Sequence, residues 1–470
     1  MIIEIATYLN PMACYGDCQP LMAMSQVCHY WRETLISNPE SWYFVRSEYL
    51  DLLPLFLERS RAYPLEVELT DTSFSDALQH IRPHANRLAI LKCRVEAAKA
   101  SLLLTLSQLD HSPNLHTFSI VSTRAPTVTA QSIEMAFVSG DMPNLHALGL
   151  LPFPITPQFA QLKHLTDLRL QATHSTTLVA VLDLLASNPS LEKTRLIGDF
   201  EDGEDARGAG SIILRRLRFL SVERCVQCRF LEKLAFPREA RVSIRYNLVS
   251  RLVPSASTLP QSMEGHVSLQ GLTSLHALMA FTNDTYIDAT GPNGSIAIRF
   301  VELQDPSPVC NAVASLPTTG ITRFVCEFHP ALIVTHIDKI TGMMDVLPHL
   351  EEIKLVHFGK INTRDFLSAL INTSGWTKLR KLKFVHCRQM TDWIIDLVQV
   401  ALWRKGKGLM LCSVSIVYKR GERLPESFER LQRAVGKLKF VEEGAGEVMR
   451  SEVVWDDASC TTRVTSVPVE

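Results

Sequence analysis

Pairs of cysteines are the residues of this sequence whose spacing fits metal binding. Cys225 and Cys228 form a CxxC pair, and Cys14 and Cys18 lie four positions apart. A structural zinc site takes four such ligands in tetrahedral geometry, commonly as two pairs. Neither pair has a second CxxC or a histidine pair nearby to complete the set. The sequence therefore predicts no metal site and no cofactor.

Catalytic signatures are also missing. The sequence has no GxSxG nucleophile elbow, no GxxxxGK[ST] phosphate loop and no GxGxxG dinucleotide motif. Paired acids such as Glu351 and Glu352 are sequence neighbours, and so cannot face each other across a cleft. We therefore predict that the protein is not an enzyme and has no catalytic residues.

A strand pattern recurs along most of the chain. Its form is Leu-x-x-Leu-x-Leu, the strand segment of leucine-rich repeats, and most copies follow the last by about 20–30 residues. The first positions are Leu88, Leu115, Leu145, Leu165, Leu191, Leu217, Leu275, Ile321, Leu350, Leu379 and Leu411. Two further strands, at Val242–Tyr246 and Ile296–Phe300, fill the two longest gaps.

The fifth position of this pattern points to the side of the strand opposite the buried leucines. These eleven residues are Lys92, Ser119, Gly149, Arg169, Arg195, Ser221, Met279, Val325, Lys354, Lys383 and Ser415. Five are basic and none is acidic, although the whole chain has a net charge of −1. We predict that Lys92, Arg169, Arg195, Lys354 and Lys383 form a basic row that binds an acidic or phosphorylated protein substrate. The alternative is that these long side chains only cover an exposed strand surface.

Helical stretches separate the strands. The clearest are Ser101–Leu109, Ser132–Val138, Thr177–Ala186, Thr335–Leu347, Thr363–Ile371 and Thr391–Trp403. A strand and a helix repeated in this way bury their apolar faces by stacking side by side, which gives a solenoid. A doubly wound sheet would show near-continuous Val/Ile strands and glycine-rich turns, and neither is prominent. The predicted fold class is therefore α/β, an irregular solenoid behind a short helical head.

The head is amphipathic. Leu21, Met24, Cys28, Trp31 and Leu35 follow one another at steps of three and four, which predicts one helix with a single apolar face. Asn38-Pro39 ends this helix, since the residue before a proline is displaced from helical geometry. A head this small needs a partner for its apolar face, either the rest of the chain or another protein.

The head resembles an F-box. The segments that carry the resemblance are Ile2–Pro11, Ser25–Arg32 and Asn38–Trp42. The Leu-Pro that usually opens the motif would precede Met1, so the first helix of the motif looks clipped at its start. The segment between Pro11 and Leu21 is also longer than in the family. Farther along, Leu379, Leu382, Phe384 and Cys387 resemble the cysteine-containing repeats of F-box and leucine-rich-repeat proteins. In those repeats the cysteine satisfies the turn after the strand.

This resemblance implies a function without chemistry. The chain would be the substrate-recognition subunit of an SCF (cullin–RING) ubiquitin ligase, with partners in a Skp-type adaptor, the cullin scaffold and a protein substrate. The adaptor-binding residues it implies are Ile5, Leu9, Met24, Val27, Trp31 and Trp42. The alternatives are a head that only caps the solenoid, and a protein-interaction scaffold outside any ligase.

Composition limits the other partners. Lys+Arg 48 against Asp+Glu 49 gives no basic excess for nucleic acid, and no apolar run reaches the length of a membrane span. Met1 precedes an amphipathic segment without a basic flank, so we expect no signal peptide. The 11 cysteines then indicate reduced thiols and a cytoplasmic or nuclear protein.

The predicted domains follow from these patterns. They are a head at 1–46, a linker helix with a first strand at 47–87, the solenoid at 88–440 and a disordered acidic tail at 441–470. The linker helix is expected over Tyr43–Arg61. Alternation in Leu65–Leu69 predicts a half-exposed strand.

Overall fold

The structure is a computed structural model in which the chain divides into two compact units. The first comprises Met1–Cys225 with Lys233–Ala235, and the second Val226–Glu232 with Phe236–Glu470. The residues described are 19–70, 73–95, 112–122, 142–152, 161–172, 176–198, 200, 211–224, 229–237, 239–247, 272–279, 285–292, 294–301, 307–328, 337–358, 360–372, 376–387, 390–419, 428–443, 450–456 and 461–467. Both units are mixed α/β, and parallel strands dominate both.

The head contains two helices where the sequence predicts one. They are α1 (Gln19–Val27) and α2 (His29–Ser37), separated by Cys28 in extended conformation at φ −159°, ψ 169°. The Arg32 Nε donates to the carbonyl of Ser25 at 3.0 Å, and so satisfies an acceptor in the last turn of α1. The single predicted helix is therefore wrong at Cys28.

The chain leaves the head through irregular structure. As predicted, α2 ends before Pro39, and a 3₁₀ turn follows at Pro39–Trp42. The linker helix predicted over Tyr43–Arg61 is wrong in its first half, where the chain forms strand β1 (Phe44–Arg46) and a 3₁₀ segment at Ser47–Leu52. Helix α3 (Leu53–Arg59) then begins at a leucine–proline pair, where a proline is tolerated because its missing N–H has no intrahelical acceptor.

The sheet of the first unit is wholly parallel, and its neighbours follow chain order. Its strands are β1, β2 (Leu65–Thr70), β3 (Leu88–Val95), β4 (Thr117–Ser122), β5 (Ala147–Leu151), β6 (Asp167–Gln171), β7 (Lys193–Ile197) and β9 (Phe219–Glu223). The short strands β8 (Ile212–Ile213) and β10 (Leu234–Ala235) form a separate parallel pair. The six strands from β3 to β9 in this sheet are those that the leucine pattern predicts.

A repeated turn leads into these strands. Pro113-Asn114 and Pro143-Asn144 each precede a fully buried leucine, Leu115 and Leu145. The side-chain amide of Asn144 donates to the carbonyl of Pro113 at 2.8 Å, and that of Asn114 donates to Asn86 at 2.6 Å. Each turn is therefore tied to the corresponding turn before it. This Pro-Asn-Leu signal lies in the sequence beside the leucine pattern and could have been used to place the strands.

The sheet of the second unit combines parallel strands with one reversed strand. The order in space is β11 (Arg241–Asn247), β14 (Gly294–Val301), β13 (Thr285–Gly291), β12 (Ser274–Met279), β15 (Arg323–Phe328), β16 (Glu352–Val356), β17 (Lys381–Val385), β18 (Ser413–Lys419) and β19 (Lys437–Glu443). Only β13 in this series is antiparallel to its neighbours. Beyond β19, β20 (Arg450–Asp456) and β21 (Thr461–Val467) add antiparallel strands where the sequence predicts a disordered tail.

Within the described residues, α-helices follow β1, β2, β6 and each strand from β14 to β18. Beyond the head they are α4 (Phe74–Ile81), α5 (Leu178–Ser187), α6 (Ser307–Ser315), α7 (Ile337–Asp345), α8 (Lys360–Asn372), α9 (Met390–Gly406) and α10 (Phe428–Ala434), with 3₁₀ segments at Arg82–Arg87, Arg229–Lys233 and Thr318–Gly320. Four of the predicted helical stretches correspond to α5, α7, α8 and α9. Those at Ser101–Leu109 and Ser132–Val138 lie outside the described residues. Each buried leucine contributes about 1.5–3 kcal/mol, so the repeated apolar positions supply much of the core.

Candidate functional site

An exposed apolar pair lies where α1 meets α2. Val27 is 62% exposed and Tyr30 is 69% exposed, although the helices that carry them pack onto the chain through Leu21 and Leu35. Cys28 between them is also exposed. Val27 is the last residue of α1 and Tyr30 lies in the first turn of α2, and we call this junction the corner. Of the predicted adaptor-binding residues, Val27 is the one with the largest exposed surface in the described part of the head.

Trp42 lies beneath this corner and is fully buried, at 0% exposure. Its indole N–H donates to the carbonyl of Leu35 at 2.8 Å, and its ring meets Phe56 edge-on at 5.2 Å. The Arg59 guanidinium lies 4.4 Å from the ring centroid, within cation–π range. Trp42 therefore joins α2 to α3 and offers no surface to a partner, which corrects its predicted role.

The other predicted adaptor residues have different environments. Met24 is buried, at 7% exposure, so it also belongs to the core of the head. Trp31 is half-buried, and Ile5 and Leu9 lie outside the described residues. The periodic pattern includes the buried Leu21, Met24 and Leu35 but also the exposed Cys28, so it does not separate residues that pack inward from those that remain accessible.

The central row is the set of residues at the fifth template position, and the strand register aligns it across the first unit. Lys92, Ser119, Gly149, Arg169, Arg195 and Ser221 are successive partners on β3–β7 and β9. In a parallel sheet such partners share one face, so the predicted alignment is confirmed in this unit.

The cations of this row have acidic neighbours on the same face. Lys92 Nζ lies 2.6 Å from Glu66 Oε1, Arg169 lies 3.4 Å from Asp167, and Arg195 lies 3.0 Å from Glu223. These acids sit at template positions that the sequence reading did not consider. These carboxylates offset part of the positive charge of the row, so its electrostatic potential is weaker than that of five unpaired cations.

The register also extends the row toward the head. Glu68 of β2 is the partner of Lys92, and Arg46 of β1 is the partner of Glu68. Arg46 Nε lies 3.6 Å from Glu68 Oε2, and Arg94 reaches the other carboxylate oxygen at 3.2 Å. Arg46 and Glu68 are both buried. The strand predicted to be half-exposed is thus covered at Glu68, and the row includes an acid.

A groove of about 450 Å³ opens over the middle of this face. Gly149 forms its floor, because a Cβ there would lie 2.7 Å from Ser119 Oγ. Lys92 and Arg94 line one side, and Arg169 lines the other. Glu68 and Asp167 also line the groove, together with apolar side chains such as Leu148, so it suits an extended chain with charged side chains of both signs and some apolar ones.

In the second unit the register corrects one member of the row. Val325 of β15 pairs with His276 of β12, so the fifth position is His276 and not Met279. The template had been placed three residues late, with Leu275 at its first position instead of its fourth. The row then runs through Lys354, Lys383, Ser415 and Lys439, of which Lys439 was not predicted.

Acids meet the row at the β12 end of this unit. His276 Nε2 lies 3.3 Å from Glu327 Oε2, and Asp288 of β13 is the lateral partner of His276. The pKa of Asp288 is raised, because the effect of burial exceeds the opposing electrostatic effect of His276. Charge on this face is therefore divided, with acids around β12 and β13 and lysines on β16–β19.

The buried cysteines are explained by packing. Cys387 is buried, and its thiol lies 3.7 Å from the carbonyl of Val385 and 3.9 Å from that of Leu355. Burial raises the pKa of Cys387 to about 12, so the thiol stays protonated and unreactive. Within the described residues no three His, Cys, Asp or Glu side chains are placed to hold a metal. The pairs Cys14/Cys18 and Cys225/Cys228 lie outside those residues.

No protein-family model matches the sequence, and no curated protein is significantly similar to it. None of the helices in the described part of the chain is both long and apolar enough to cross a membrane.

Proposed function

We propose that this protein is the substrate-recognition subunit of an SCF ubiquitin ligase. The head binds a Skp-type adaptor, and the sheet face that carries the central row binds a protein substrate. The protein performs no chemistry and acts by holding its substrate near the ubiquitin-transfer machinery. The observation that carries the proposal is the exposure of the apolar side chain of Val27 and the aromatic ring of Tyr30 at the corner of the head.

The corner has the composition of a small binding site. Tyrosine is enriched among residues that carry a large share of binding energy, about 2 kcal/mol or more each. Val27 adds apolar area, and the exposed pair His29–Glu33 supplies a polar rim. Trp42 acts beneath the surface, because its hydrogen bond to Leu35 fixes α2 and with it the position of Tyr30.

For the sheets we propose leucine-rich-repeat stacking within each unit. Strands that neighbour in chain order, with the pattern leucines in register, support this. So do hydrogen bonds between equivalent positions of successive strands, such as His146 N to His116 O at 2.9 Å and Arg380 N to Glu351 O at 2.8 Å. Such stacking leaves a broad face on which a protein segment can lie.

Co-purification of the tagged full chain with the adaptor and cullin tests the proposal. A Val27→Asp, Tyr30→Asp variant should recover at least tenfold less adaptor, because it places two charges in an apolar contact. The matched control is Ile395→Asp, since Ile395 is also exposed, at 54%, but lies on α9 in the other unit. Wild type and the double variant recovering equal adaptor would refute the proposal.

A second candidate is a protein-interaction scaffold whose head only caps the sheet. The burial of Met24 and Trp42 favours it, as does the pairing of β1 with β2 directly after the head. In that case wild type should recover no adaptor, and the Val27/Tyr30 variant should differ from it in nothing but solubility. Partner capture by the sheet would be the same in both candidates.

A further inference from the structure

The open face of β17–β19 carries lysines and serines in a regular arrangement. Two tiers of residues run across the three strands in register, and each tier consists of a serine between two lysines. We call these six residues the lysine–serine array: Lys381, Ser413 and Lys437 in the first tier, and Lys383, Ser415 and Lys439 in the second. Their alternate neighbours Leu438 and Phe440 are buried on the other face.

The dimensions of the array follow from sheet geometry. Neighbouring strands lie about 4.8 Å apart, so the two lysines of a tier start about 10 Å apart with the serine between them. The ammonium groups can therefore reach one anion above the serine from both sides, while the serine hydroxyl donates from below. The tiers are two residues apart along the strand, or about 7 Å. This is also the distance between alternate side chains of an extended peptide.

The charges that face the array are mostly basic. Lys354 is the lateral partner of Lys383. Among the described residues, two acids border the array. Glu352 is the lateral partner of Lys381 and also lies 3.4 Å from Arg323, and Glu452 of β20 is the lateral partner of Lys439. Within the described residues the strand register thus sets five lysines beside two carboxylates.

An apolar tier continues the pattern. Val385, Val417 and Val441 are in register two residues beyond the second lysine tier, and all are half-buried. A surface that only solvates the sheet has no need of aligned valines at its edge. The sequence of two cationic tiers and one apolar tier fits a ligand with the same alternation.

We infer that the lysine–serine array binds an extended protein segment with phosphoryl groups at two alternate residues and an apolar side chain two residues farther on. The inference rests on the proposed function only in taking this sheet face as the substrate surface. Phosphate is favoured over carboxylate because the tiers use lysine as a point charge beside a hydroxyl donor. They contain no arginine, which would give bidentate recognition of a carboxylate. Nucleic acid is disfavoured because the array has no aromatic side chain for base stacking.

Fluorescence polarisation with the full chain tests this. The probe is a labelled peptide with phosphoserines at i and i+2 and leucine at i+4, made in both chain directions. One comparison peptide has adjacent phosphoserines, and the other has glutamate in place of both phosphoserines. We expect the better direction of the i, i+2 peptide to bind at least tenfold more tightly than either comparison peptide, with affinity falling as salt rises.

Variants assign the binding to the array. A Lys383→Gln, Lys437→Gln variant removes one lysine from each tier and should weaken binding at least tenfold, whereas Lys407→Gln, at an exposed lysine after α9, should have no effect. Equal binding of the adjacent-phosphate peptide, unchanged binding by the double variant, or tighter binding of single-stranded RNA would each overturn the inference. Adaptor co-purification separates the two proposals. If the wild type recovers adaptor but does not bind the peptide, only the inference fails, and if it binds the peptide but recovers no adaptor, only the proposed function fails. The double variant should still recover adaptor.

Discussion

Replacing Trp42 by alanine should open the head rather than remove a binding contact. Truncation of a fully buried tryptophan costs about 3–5 kcal/mol. The change also leaves the carbonyl of Leu35 without its 2.8 Å hydrogen bond and removes the ring beneath Arg59. Trp42→Phe keeps an aromatic ring but not the N–H donor. The Leu35 carbonyl still accepts from the Asn38 N–H at 3.2 Å, so we expect the smaller cost of one lost hydrogen bond, about 0.5–1.5 kcal/mol.

Hydrogen exchange of the full chain measures this locally. Global unfolding is a poor readout because the chain has two units, whereas amides in segment 29–59 report the opening of the head itself. A loss of 3–5 kcal/mol corresponds to roughly a hundred- to several-thousand-fold faster exchange there. Exchange in β16–β19 should not change.

The control and the contrary result are both defined by exposure. Tyr30→Ala removes a side chain that is 69% exposed and should leave exchange at 29–59 nearly unchanged. If Trp42→Ala also leaves it unchanged while adaptor recovery is lost, Trp42 is a contact residue and its assignment to the core is mistaken.

Three further predictions concern single groups. Iodoacetamide should label the exposed Cys28 and Cys412 of the native chain within minutes and leave Cys387 unlabelled until the chain is denatured, as peptide mass spectrometry would show; labelling of native Cys387 at the rate of Cys28 would contradict its burial. Arg87→Met should speed amide exchange in segment 53–63 about tenfold, because the Arg87 guanidinium donates to the carbonyl of Leu57 in α3 at 3.3 Å and to that of Tyr63 after it at 3.1 Å; unchanged exchange would show that water replaces these donors. Burial and then the charge of Arg87 lower the pKa of His84, so the unfolded chain protonates His84 more readily and stability falls as pH drops through the ordinary histidine range. His84→Gln should reduce the loss of amide protection in segment 74–95 between pH 7.5 and 5.5, after correction for intrinsic exchange rates, and an identical loss would contradict this.

The leucine pattern predicted the strands well because burial fixes it. Leu148, Leu168 and Leu220 must face the core whatever else changes, so their spacing survives in the sequence. The pattern failed at β12, where Leu272 and Leu275 fit the template as well as Leu275 and Leu278 do. The ladder with β15 decides between these placements, and a strand read alone contains no information about its partner.

The candidate surfaces were less predictable for a similar reason. Lys92 and Arg169 could be placed on one face from alternation, and so could Asp167, which lies two residues before Arg169 on β6. Glu66 lies on β2, outside the template, and meets Lys92 only through the register and side-chain reach. In the head, helical periodicity grouped Met24 with Trp31. Met24 is buried but Trp31, beyond the break at Cys28, is only half-buried, and neither glycine nor proline marks that break.

The reversed strand β13 has a consequence for synthesis. Each strand from β15 to β19 can pair with a strand already made as soon as it leaves the ribosome. β11 must wait for β14, because β12 and β13 are made before β14 but lie farther from β11 in the sheet. Until then the nascent chain carries an unpaired parallel edge, the kind of edge at which chains aggregate. Slow translation between β11 and β14 should therefore be harmful, and a chaperone that shields extended edges should matter most during that interval.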